Sequence, residues 1–188
     1  MNYVFLGAAL FAIPHFLSQF FPTVRDRLIA RFGEGAFKGG YSIVTVFGLA
    51  LMVYGYWTTR GDGTIMFQPA ASMRHVSMVL ATVGIILVAA MQGKSHLRLW
   101  VQNPFSIGII LWSTAHLLSV AKPAAAWFFL TMLAIGLVDV ALSVARGEKP
   151  NFAPVWRSDI IAVVVGLVVT ALLVLLFHPY VLGVRLFQ

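Results

Sequence analysis

Asp159-Ile160-Ile161-Ala162-Val163-Val164-Val165-Gly166-Leu167-Val168-Val169-Thr170-Ala171-Leu172-Leu173-Val174-Leu175-Leu176-Phe177-His178 has an acid at its start, a histidine at its end and no charge between them. At a rise of 1.5 Å per residue, twenty helical residues cover about 30 Å, the thickness of a bilayer's hydrocarbon core. No polar stripe runs along the segment, so it lacks the solvent face of a helix on a soluble domain. It reads as a membrane-spanning helix.

Working outward, five earlier stretches share this character, at roughly 3–21, 40–58, 75–92, 104–121 and 124–144. The first lacks the basic start and small-residue cleavage site of a secretory signal, so it is expected to remain as a helix. Composition agrees with six spans: 60% of the 188 residues are hydrophobic, 10% are charged and the mean hydropathy is +0.91. Soluble domains carry about 25% charged residues, and this chain has too little polar surface to coat a water-exposed globule. The expected fold is therefore an all-α, polytopic transmembrane bundle of about six helices, forming a single domain over residues 1–188.

The connecting segments are short and punctuated by Arg, Gly and Pro, and none could hold a further domain. Lys and Arg accumulate in cytoplasmic loops. Arg25, Arg27, Arg31, Lys38, Lys94, Arg98, Arg146, Lys149 and Arg157 fall on one side, and only Arg60, Arg74, Lys122 and Arg185 on the other. The basic side is read as cytoplasmic, which puts both termini on the side away from the cytoplasm. The net charge of +7 is spread singly through loops that meet lipid head groups, and nucleic acid is not an expected partner; the bilayer is. In the first loop, Val24, Leu28, Ile29 and Phe32 share one helical face away from Arg25, Arg27 and Arg31. That pattern fits a short interfacial helix, although a basic loop that only holds topology accounts for most of it.

With no cysteine in the chain, thiolate metal sites, iron–sulfur clusters, covalently attached haem and cysteine nucleophiles are excluded. No phosphate-binding loop, dinucleotide fingerprint or serine-hydrolase elbow is present. Ionisable side chains inside apolar helices are costly and are the first functional candidates. His15 follows Pro14 in the first helix, with Ala12 and Ala8 one and two turns earlier leaving a flat slot. His116 lies in Leu111-Trp112-Ser113-Thr114-Ala115-His116-Leu117-Leu118, with Ser113 and Ser119 three residues to either side. Two imidazoles on different helices, among small residues and aromatics such as Ala12, Ser113 and Trp112, suit axial ligation of a non-covalent haem b. They equally suit helix-packing histidines bonded to backbone or hydroxyl groups.

Zinc fits poorly, because no second ligand stands at i+3 or i+4 from either histidine. Helical rise puts His15 roughly 9 Å and His116 roughly 18 Å from the cytoplasmic edge, a mismatch that tilt or a kink at Pro14 could absorb. His75 and His178 fall at the outer boundary and read as interfacial, and His96 sits in a cytoplasmic loop. Asp139 is expected to pair with Arg146 or another basic residue, Asp159 to cap a helix or fix topology, and Ala162, Gly166 and Thr170 to form a face for close helix packing.

Taken in order, several segments carry a resemblance along the whole chain. They are Pro14-His15-Phe16 followed by Pro22-Thr23-Val24-Arg25-Asp26-Arg27-Leu28; Gly33-Glu34 with Phe37-Lys38 and Tyr41-Ser42; and Gly48-Leu49 through Tyr54-Gly55-Tyr56. Leu111-Trp112 with Ala115-His116-Leu117-Leu118, and His178-Pro179-Tyr180-Val181-Leu182-Gly183-Val184, complete the set. In this order they resemble the NnrU family of bacterial membrane proteins, itself similar to the zeta-carotene isomerase of plants and cyanobacteria, a haem b membrane enzyme.

The resemblance implies haem b held by His15 and His116, the positions that match ligand-like histidines of the isomerase, and a link to nitrite and nitric oxide metabolism. Two other expectations stand beside it: a haem-dependent cis-trans isomerase acting on a small hydrophobic polyene, and a haem-free accessory subunit of a nitrogen-oxide reductase system. The sequence departs from the family where His-Pro is usual before the fourth helix and Asn103-Pro104 stands here, and Ser119-Val120 replaces a common Asn-Gly. Asparagine hydrogen-bonds but does not titrate, so activity transfers less securely than fold.

Overall fold

The computed structural model of the chain describes residues 1–66, 69, 70, 72–120, 122–184 and 186. Arg185, counted on the outer side in the topology argument, lies outside them. The described residues form α1 (Asn2–Phe20), α2 (Pro22–Phe32), α3 (Glu34–Thr59), α4 (Met73–Ala90), α5 (His96–Val101), α6 (Pro104–Leu117), α7 (Pro123–Ala145) and α8 (Trp156–Leu172). The last of these continues as a π-helix over Leu173–Leu182. Five helices have the length and apolarity to cross a membrane, counting α8 and its extension as one. The sixth, α6, is apolar but has 14 residues, fewer than the expected span. It starts sharply at Pro104, whose missing N–H costs nothing at a first helical position.

Contacts divide the chain into two units, Met1–Gln68 with Ala121–Thr131, and Pro69–Val120 with Met132–Gln188. In the first, α1 and α3 pack through glycine. A Cβ on Gly7 would stand 2.6 Å from the Gly48 carbonyl oxygen, and one on Gly55 2.8 Å from the Val4 nitrogen. Val4 and Met52 are fully buried beside these crossings. The basic segment after α1 is helical: Pro22 opens α2, and Gly33, at φ 84°, breaks it from α3. Of the two readings of this segment, the structure shows the short helix rather than the plain basic loop that accounted for most of the pattern.

In the second unit α4 packs against both α6 and α8. Gly84 and Gly108 bring α4 and α6 into backbone contact, and Gly166 of α8 lies against Ile86. Asp159, Ala162 and Gly166 are buried on one face of α8 while Ile160, Ile161, Val164, Leu167 and Val168 point outward. Small residues inside and large apolar ones outside is the arrangement of helices that associate in lipid by close packing, where burying apolar surface from water drives nothing.

Asp159 caps α5 from a distance of 62 residues in sequence. Its Oδ1 accepts the Leu97 N–H at 3.0 Å, and its Oδ2 accepts the His96 N–H at 3.1 Å and faces the His96 Nδ1 at 2.7 Å. Ser95 Oγ accepts the Arg98 N–H at 3.1 Å, and the His96 ring stacks on Trp156 with centres 4.0 Å apart. Expected from sequence to cap the helix it starts, Asp159 lies inside the first turn of α8, whose N-cap is Val155, and caps α5 instead. Replacing Asp159 with Ala strips three donors of a buried acceptor and is expected to cost about 2–4 kcal/mol, read as a lower thermal midpoint in detergent; Asp159→Asn should cost less.

Candidate histidine site

Three histidines in apolar helices share one local geometry. His15 Nδ1 lies 2.6 Å from the Phe11 carbonyl oxygen, His116 Nδ1 2.8 Å from that of Trp112, and His178 Nδ1 2.7 Å from that of Leu173. A carbonyl only accepts, so Nδ1 carries the proton and the lone pair of each neutral ring is on Nε2. A backbone bond that sets the tautomer and steadies the ring is the usual support behind a histidine that ligates a metal.

His15 belongs to the first unit. Its ring stacks on Phe11 at 4.6 Å, with Tyr41 at 5.3 Å. An apolar groove of about 430 Å³ runs beside it between α1, α2 and α3, lined among others by Pro14, Leu17, Phe37 and Tyr41. Ser18 also lines it, and its buried hydroxyl has no partner among the described residues. Ala12, one turn before Phe16, is half-buried.

His116 belongs to the second unit, near the end of α6. Trp112 lies one turn earlier with its ring centre 4.8 Å away. Ser113, three residues before His116, has 0% exposure and a hydroxyl without a partner among the described residues. Close by in sequence, Ser119 Oγ donates to Ser77 Oγ at 2.6 Å, tying the end of α6 to α4. The ring that faces His116 within this unit is His178, 6.2 Å between centres and 16° between planes. His178, expected at the membrane boundary, sits inside the apolar continuation of α8; His75 is exposed at the start of α4.

Asp139 has two neutral partners within reach of the start of α6. Asn103 Nδ2 donates to its Oδ2 at 2.9 Å, and the Ser106 hydroxyl donates to the same oxygen. Asn103 Oδ1 meanwhile accepts the Ser106 N–H at 3.3 Å as the cap of α6. The asparagine that departs from the family pattern therefore does two structural tasks, with no proton to give up in either. Arg146, the partner expected from sequence, pairs with Glu148 at 3.6 Å.

Long apolar helices with small residues at their crossings define a multi-pass membrane protein. Residues 3–186 match the NnrU protein family, and the chain belongs to that family. No curated protein and no solved structure matches it.

Proposed function

We propose that this protein is an inner-membrane haem b protein serving nitrogen-oxide metabolism, with His116 as an axial ligand. The carrying observation is the fixed tautomer of His116, whose Nδ1–H is bound to the Trp112 carbonyl at 2.8 Å. The donor set favours haem over a bare ion. Among the described residues no three His, Asp or Glu side chains converge to hold a metal, whereas zinc wants three or four protein ligands. A porphyrin brings four nitrogens of its own and asks the protein for one or two.

Haem, when bound, supplies an iron that exchanges electrons or takes a small ligand such as nitric oxide. The chain's own part is to present Nε2, exclude water with apolar helices and wall the site with Trp112 and Ser113. Family membership supports the nitrogen-oxide link, and the sequence expectation makes His15 the second ligand. Protein purified in detergent after growth with ample haem precursor should show a Soret band that leaves with the haem into acidified organic solvent. A colourless protein would defeat the reading.

The topology belongs to the same proposal. Both termini are periplasmic, on the strength of the nine-to-four basic asymmetry between the two sides. A C-terminal alkaline phosphatase fusion should be active and a C-terminal fluorescent protein that matures only in the cytoplasm should be dark; the reverse pattern would invert the orientation.

A further inference from the structure

His178 is the residue that the sequence reading put aside and the structure puts opposite His116. In continuous α-winding at about 100° per residue, His178 would lie about 120° around the axis from Gly166, away from the face packed on α4. From Leu173 the helix widens to π-winding, and His178 Nδ1 bonds five residues back to Leu173 rather than four. At about 85° per residue, the wider turn carries His178 to within about 45° of Gly166. On that side of the helix the ring comes to lie opposite His116. The π-winding occupies the last ten residues of this apolar helix, Leu173–Leu182, and π-winding is rare in helices.

The separation of the rings has chemical meaning. Their centres are 6.2 Å apart and their planes 16° from parallel. A metal–imidazole bond is about 2 Å, so two rings that ligate one ion from opposite sides have centres about 6 Å apart. Direct ring stacking would bring the centres closer, as His96 and Trp156 do at 4.0 Å. Both rings hold the tautomer with the lone pair on Nε2. Beside them, Ser113 is fully buried with an orphaned hydroxyl, the mark of a group that meets something beyond the described protein atoms.

We propose that His116 and His178, both in the second unit, are the pair of imidazoles that hold the haem iron, so that His178 and not His15 is the second axial ligand. This rests on the haem reading and sharpens it. His15, whose Nδ1 is bonded to the Phe11 carbonyl, is then a packing histidine.

The test is ferric optical and electron paramagnetic resonance spectroscopy of the full chain purified with haem. Wild type and His15→Ala should give the low-spin signal of two imidazoles. His178→Ala should lose it for a high-spin signal, and added imidazole should restore it, which also shows that the variant is folded. A low-spin bis-imidazole signal that survives His178→Ala, or that disappears in His15→Ala, overturns the assignment while leaving haem in place.

A second arm needs no haem. In this chain without cysteine, the double variant H116C/H178C treated with micromolar Cd²⁺, which two thiolates hold far more tightly than one, should have both thiols protected from maleimide, while each single variant stays reactive. Unprotected thiols in the double variant overturn the pairing. Protected thiols in a chain that takes up no haem would overturn the haem reading and this ligand assignment with it.

Discussion

His116→Ala protein should accumulate in the membrane and emerge from detergent with its haem affinity lowered at least about 100-fold. Loss of a supporting partner behind a metal ligand already costs 10–100-fold, and this change removes the ligand itself. Fold should survive, because the crossing that holds α6 on α4 is made at Gly84 and Gly108, two turns before His116. Retained thermal stability of the apoprotein with a missing Soret band is therefore the expected pair of readings. His75→Ala, at an exposed position, should leave the spectrum as it is. Full haem occupancy in His116→Ala would remove the central residue of the proposal.

Gly108→Val should be the most damaging single change to the fold. A Cβ at Gly108 would stand 2.5 Å from the Gly84 carbonyl oxygen, 2.8 Å from Val88 Cγ2 and 3.0 Å from the Val88 nitrogen. The first and last are backbone atoms, which cannot turn aside, so α4 and α6 must separate. Overpacking of this kind costs about 1–3 kcal/mol in a soluble core. Here the loss is harder to recover, since close backbone approach is itself what holds apolar helices together in lipid. For a chain of this size 3 kcal/mol corresponds to about 6–12 °C in the thermal midpoint. Because α6 carries His116, the same variant should also broaden or abolish any haem spectrum. Gly35→Ala is the control: it lies in α3 with nothing within 4 Å of the added carbon, and an unchanged midpoint is expected.

The helices were legible because their signal is local. An uninterrupted apolar run of membrane length has few folded states open to it, since every backbone N–H and C=O in lipid must be satisfied within the segment. Pro22, Pro104 and Pro123 mark first helical positions for an equally local reason. The amphipathic pattern of α2 and the small-residue face of α8 at Ala162 and Gly166 were readable from spacing. His116 stood out because an imidazole inside an apolar helix is costly without a partner.

What was not legible depended on residues far apart in sequence. The cap on α5 comes from Asp159, and the partners of Asp139 come from Asn103 and Ser106, more than 30 positions away. No window of sequence contains both ends of such a bond. The place of His178 is a different case. Spacing at 3.6 residues per turn assigns a face to every residue only while the winding stays regular, and the change to π-winding at Leu173 breaks that count.

By itself, then, the sequence determined that this chain is helical and membrane-embedded and that His15 and His116 lie within apolar helices, because an uninterrupted apolar run leaves few other folded states open in hydrocarbon. Only the tertiary structure decided which side chain looks at His116. That placement depends on the change from α- to π-winding at Leu173, which the regular spacing of residues along the sequence does not carry.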